Sequence, residues 1–167
     1  MAADARRGLS RGARRLLRAA TVALGIAWAL PYTVPGLAAG LAALPFGARM
    51  RLRTRELALV FDAVPFGPGG ALTLGNVVLH TGDSIDSDCL TYAHRAGLCV
   101  QPAVRLVDHE RAHVLQYMAL GPLFLPLYFL CGGISVRNRF ERAADRYALT
   151  GRGWWPWPAP PTDGRLH

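Results

Sequence analysis

From Ala19 to Ala48 no residue is charged, a run longer than the roughly 20 apolar residues that cross a bilayer as a helix. Pro31 and Pro35 stand in its middle, with Gly36 and Gly40 behind them. Proline removes a backbone donor and kinks or ends a helix. The run therefore reads either as one kinked span or as a helical hairpin that turns near Pro31–Gly36 and leaves on the side it entered. Beyond it, Glu56–Asp62 alternates in places and is rich in strand formers. PFGPGG at 65–70 is a loop, and Ala71–His80 reads as a second strand or as two short strands turning at Gly75-Asn76. Val104–Leu120 reads as a helix stopped by Gly121-Pro122. Leu123–Ile134 is apolar but too short to span a bilayer alone, and Asn138–Leu149 reads as a last helix. Trp154 to Trp157 and the prolines at 158, 160 and 161 exclude regular helix, leaving an interface-seeking or a disordered tail. The expected fold class is α+β, with a small sheet from 56–81 followed by helices. The chain divides into a basic segment 1–18, an apolar segment 19–48, a mixed unit 56–149 and a Trp/Pro-rich tail 150–167.

Composition and charge sharpen the picture of the first segment. The 167 residues suit one domain, and 51% hydrophobic content points to membrane contact. Net charge is +8, every basic residue is Arg, and the arginines crowd both flanks of the apolar run: Arg6 to Arg18 before it, Arg49 to Arg55 after it. Positive residues favour the cytoplasmic side. A hairpin satisfies that preference at both ends and a single span at only one, so the hairpin is the expected arrangement. A secretory signal peptide is a third reading, with an apolar stretch at Ala19–Leu30 and small residues at Ala38, Ala39 and Ala42. Arginines beside an apolar run suit anionic lipid head groups, so membrane lipid is the expected partner. The aromatic-and-basic interleaving of a single-stranded nucleic-acid groove is missing, and no nucleic-acid partner is expected. Cys89, Cys99 and Cys131 are too few for a disulfide framework, although Cys89 and Cys99 could pair. The acidic loop Thr81–Asp88, with Asp83, Asp86 and Asp88, lacks the Gly and terminal Glu of an EF-hand and reads as solvated rather than as a calcium site.

The chemistry lies in Asp108-His-Glu-Arg-Ala-His113. Residues four apart on a helix share a face, so the imidazoles of His109 and His113 can converge on one metal ion. Nitrogens at about 2.0–2.1 Å suit zinc. The carboxylate of Glu110, beside the first ligand, can take a proton from metal-activated water and so serve as general base. A catalytic zinc site needs a third protein ligand. Glu141, on the last helix, is the favoured candidate, with Asp145 on the same face four residues on, where it could orient a ligand imidazole. Asn138-x-x-Glu141 also fits a variant capping box, in which Glu141 would only bond backbone. His80 and His94 are further candidates.

HExxH followed by a helix bearing Glu-x-x-x-Asp resembles the zincin metallopeptidases, and within them the gluzincin, thermolysin-like branch. The longer string from His109 to Tyr117, then Gly121-Pro-Leu-Phe-Leu-Pro126 and Asn138-Arg-Phe-Glu141, preceded by Leu72-Thr-Leu-Gly-Asn76, is also similar to a group of short bacterial membrane-associated proteins. The resemblance covers about residues 56–149. It implies a minimal zincin-like unit with Zn2+ held by His109, His113 and Glu141, Glu110 as catalytic base and Asp145 behind a ligand. The implied activity is hydrolysis of peptide bonds, close to a bilayer and in a bacterial inner membrane, with the cytoplasmic side favoured. Tyr117, Tyr128, Tyr147 and His94 are the residues from which an oxyanion-stabilising group could come. The large substrate-binding domains of thermolysin-like enzymes have no counterpart here. A zinc-binding pseudoenzyme and a metal-free membrane-anchored interaction protein are the competing readings.

Overall fold

A computed structural model describes residues 10–67, 69–90, 97 and 103–157. It is a mixed α+β fold. Helix α1 spans Arg11–Ala43 and is capped by the Ser10 hydroxyl, which accepts from the Ala13 N–H. Strands β1 (Arg49–Arg53), β2 (Ala58–Asp62), β3 (Ala71–Leu74) and β4 (Val77–His80) form one sheet, and β5 (Asp88–Cys89) pairs with β6 (Val104–Arg105). Helices α2 (Leu106–Leu120), α3 (Phe124–Leu130) and α4 (Arg139–Thr150) complete it.

The sheet order is β1-β2-β4-β3, parallel only between β2 and β4. Both faces are covered, which is why Val77-Val-Leu-His80 is buried at every position rather than at alternate ones. Val60 and Val78 face α2, packing with Leu106, Val107 and Val114. Phe61, Val77 and Leu79 point the other way, into a cluster closed by Ala43 and Leu37 of α1. Thr73 is paired with Val78 and so lies on the α2 face of the edge strand β3.

Helix α1 is thus one layer of the fold rather than an attachment to a 56–149 unit. It also corrects the hairpin expectation, because it runs through Pro31 and Pro35 without turning back. Packing on both sides of the prolines supplies the reason. Gly25 lies on Met118 before them, Gly36 on Leu74 and Val77 after them. Between them, the Thr33 hydroxyl donates to the Ala29 carbonyl and accepts from the Asn76 N–H of the β3–β4 turn. Tertiary contact outweighs the local helix-breaking tendency of proline.

Arg49–Arg53 is a strand where charge alone marked a basic flank. Its arginines are held by the acidic residues nearby. Arg51 pairs with Asp62, and Arg53 and Arg105 with Asp86, so Asp86 of the Thr81–Asp88 loop is engaged by arginine. The segment 154–157 is also packed rather than loose. Trp157 lies edge-on against Phe140, with ring centroids 5.4 Å apart, and Pro156 is buried. His94, Cys99 and the prolines at 158, 160 and 161 lie outside the described residues.

Candidate metal centre

Helix α2 sits between the sheet and α4. Ala112 of α2 and Ala144 of α4 are both fully buried in the contact, and such small side chains let two helix backbones approach closely. That approach brings the carboxylate of Glu141 to the two imidazoles one turn apart on α2. His109 Nε2 and His113 Nε2 are 3.1 Å apart. Glu141 lies 3.3 Å from His109 Nε2 through Oε2 and 3.5 Å from His113 Nε2 through Oε1. All three residues are buried, and they form the one group of metal-ligating side chains that converges among the described residues.

The outer nitrogens of both rings are committed. His109 Nδ1 is 2.9 Å from Asp145 Oδ1, an ion-pair contact without hydrogen-bond alignment, and neither atom has a hydrogen-bond partner elsewhere. His113 Nδ1 is 2.8 Å from Gln116 Oε1. The Gln116 amide nitrogen donates to the carbonyls of Phe140 and Trp154, at 3.2 and 2.8 Å. With its N–H bonds spoken for by two carbonyls, the amide can present only its oxygen to His113, so His113 Nδ1 carries the hydrogen. Asp145 imposes the same tautomer on His109. Each Nε2 is then a lone pair, and the two lone pairs face each other, an arrangement neutral imidazoles cannot satisfy between themselves. A cation between them does. Ligand atoms about 2.0–2.1 Å from a tetrahedral ion lie about 3.3 Å apart, which the three separations match. The donor set fits a metal ion.

Without a cation the same site gathers protons. Burial works against charge on His109, but the carboxylates of Asp145, Glu141 and Glu110 outweigh it and hold the imidazole well above the ordinary histidine range. His113 is raised too, its burial offset mainly by the charge of Glu141. Burial pushes Glu141 up, while the two imidazoles pull it further down, well below the usual carboxylate range. The cluster favours an ionised carboxylate beside positive charge, which is also what a divalent cation requires.

The remaining residues fall into place around this centre. Asn138 caps α4 by accepting from the Phe140 N–H at 2.9 Å, so it alone performs the capping role and Glu141 is left for the imidazoles. Tyr128 of α3 donates to Glu141 Oε1 at 2.6 Å. Glu110 Oε2 accepts from the Thr73 hydroxyl at 2.6 Å, which ties the carboxylate beside the first His to the edge strand β3. His80 is elsewhere, buried with Nδ1 2.9 Å from Asp62. Tyr117 packs at a tilt against Tyr32 and Phe124, and Tyr147 lies under the Arg111 guanidinium. Sequence reasoning missed Gln116 and Thr73. Gln116 had a signal, its position three residues after His113 and hence on the same helical face; Thr73 had none, because its contact joins a strand to a helix far along the chain.

Compared with models of protein families, with curated proteins and with solved structures, the chain matches none.

Proposed function

We propose that this chain is a membrane-associated, zinc-dependent metallopeptidase of minimal zincin-like design. The observation that carries the reading is the convergence of His109 Nε2, His113 Nε2 and Glu141 at tetrahedral spacing, with each outer imidazole nitrogen within 2.9 Å of a side-chain oxygen. Zinc suits two imidazoles and a carboxylate, and when bound it would act as a Lewis acid that activates water and polarises a carbonyl. His109, His113 and Glu141 would hold it, while Asp145, Gln116 and Tyr128 keep those ligands oriented. Glu110 would accept a proton from the attacking water and pass it to the departing amine, with Thr73 holding the carboxylate in place during the exchange. Membrane association rests on the long apolar face of α1.

A second reading is favoured by burial. His109, Glu110, His113 and Glu141 are each less than a tenth exposed, as in a metal site that serves folding rather than turnover. One set of variants separates the two. Elemental analysis of the detergent-purified protein is expected to give about one zinc per chain, absent from His109→Ala/His113→Ala and reduced in Glu141→Ala. Glu110→Gln is expected to keep its zinc and lose peptide hydrolysis. Zinc bound by a wild type that hydrolyses no peptide, with melting lowered when the metal is removed, would favour the structural reading. A folded wild type that takes up no metal from added zinc would defeat both.

A further inference from the structure

Helix α1 carries two stripes that run its whole length. Arg11, Arg14, Arg18, Val22, Gly25 and Ala29 follow one another at steps of three and four, the spacing of a single helix face. The same steps continue through Thr33, Gly36, Gly40 and Ala43. The second half of this stripe is the face packed on α2 and the sheet. Before Val22, which is half-buried, the helix extends past the body of the fold, and there the positions that would meet protein are arginine instead. On the opposite side Leu16, Ala20, Ala27, Leu30, Val34 and Leu41 make a stripe with no charge, and all are exposed, Leu16 by 74% and Val34 by 60%. The outer face of a helix on a water-soluble domain is polar. Here the large apolar side chains point out and the small ones point in.

The outer stripe continues onto the rest of the fold. A shallow apolar groove lined by Trp28, Pro31, Val34 and Pro35 is closed on its far side by Pro122. From there the chain leads into Leu123, Phe129, Leu130 and Ile134, each more than half exposed.

We infer that α1 lies in the plane of a membrane interface rather than crossing it, with its outer stripe in the acyl boundary of an anionic bilayer and both of its ends on one side. The four arginines of α1 all lie in its first eight residues, Arg11–Arg18, so charge alone does not separate a crossing helix from an interfacial one. The packing does: from Gly25 to Ala43 one side of α1 is covered by α2 and the sheet, whose edge strand carries Arg49, Arg51 and Arg53. A crossing helix would take those charges into the hydrocarbon, whereas a helix at the headgroup level leaves them outside it. Arginine side chains are long enough to keep their guanidinium groups among lipid phosphates while their stems lie on apolar surface. The arrangement also places the basic residues before and after the apolar run on the same side of the membrane, with a continuous helix between them. The inference deepens the membrane half of the proposed function and is independent of the metal half.

Accessibility of the two ends tests it. Ser10→Cys and Arg49→Cys would be introduced singly into a full-length chain whose native cysteines are Ser, and checked for unchanged melting. Each would be treated with a membrane-impermeant maleimide in right-side-out and inside-out vesicles of an expression host. Both positions are expected to react in the same preparation and neither in the other. Reaction of the two positions in opposite preparations would overturn the inference and establish a span. A second measurement uses phosphatidylglycerol-containing vesicles formed by detergent removal. Val34→Glu/Leu41→Glu is expected to lower co-flotation at least tenfold with melting unchanged, and unchanged co-flotation would count against the outer stripe. A wild type that floats with no vesicle would remove the membrane half of the proposed function as well, while zinc content would still report on the metal half.

Discussion

Helix α2 turns His109, Glu110, His113 and Gln116 into the protein, whereas α1 turns Leu16, Leu30, Val34 and Leu41 out of it. Both helices depart from the ordinary distribution of polar and apolar side chains, in opposite senses. Buried polar groups are costly unless paired, and the α2 cluster meets most of that cost by bonding: Gln116, Thr73 and Tyr128 each take up one of its polar atoms, and Asp145 lies at ion-pair distance from another. Two Nε2 lone pairs are left over, and they point at a common space. Exposed apolar groups have no bond to make, and only a different surrounding relieves them. One region has the donors for an ion; the other, on the membrane reading proposed above, meets lipid.

The sharpest way to break the comparison is on α1 itself. A Cβ added at Gly40 would overlap the ring of Phe61, which is fully buried. Gly40→Leu is expected to cost about 3 kcal/mol, the upper part of the range for overpacking a close-packed core. Ala38→Leu, two residues away on the exposed side, is expected to stay within about 0.5 kcal/mol. Thermal melting of the two variants in the same detergent checks both. Equal destabilisation would mean that the faces of α1 are not distinct, and the inside-out character of the helix would fail.

How much of this was open to inspection in the residues differs between the two helices. The candidate ligands on α2 were legible because their chemistry is local: His109 and His113 stand one turn apart whatever else the chain does. Glu141 and Asp145 were legible by the same logic, one turn apart on their own helix. The orientation of His113 was not, because it depends on the carbonyls of Phe140 and Trp154, which reach Gln116 only after α4 and the segment beyond it have folded back. On α1 the local signal misled. Pro31 and Pro35 argue for a turn, and the contacts that keep the helix continuous come from Met118 and from the β3–β4 turn, far away in sequence. Strand β1 was obscured in another way. Met50 and Leu52 do alternate with the arginines, but the strand is an exposed edge, so its alternation marks no core.

Gln116 offers the next test, smaller in effect and aimed at the interior. Gln116→Met keeps the volume and removes both the acceptor for His113 and the donors to Phe140 and Trp154. Loss of such an outer partner is expected to weaken zinc about 10–100-fold. Gln116→Glu supplies an acceptor again, and it is expected to recover part of the affinity relative to Met. Competition against a chromophoric chelator measures both. A Met variant that melts lower yet binds zinc as tightly as wild type would leave Gln116 a packing residue only.

The arginines of β1 provide a contrast to both helices, since here charge sits at the surface and is partnered there. The bond from Arg53, aided by the charges of Arg53, Arg51 and Arg105, holds the Asp86 carboxyl below its usual range. A carboxylate depressed in the folded state contributes stability above the ordinary carboxylate range and loses it as the pH falls through the folded value. Asp86→Asn is therefore expected to lower stability at pH 7 by about 1 kcal/mol or less, the scale of a solvent-exposed pair. The gap from wild type should close as the pH is lowered through and below that range. Melting curves of both proteins across the acid limb would show it, and added salt should narrow the gap at neutral pH as well. A gap that persisted unchanged into strong acid would assign the effect of Asp86 to packing of the loop on β1 and not to its charge.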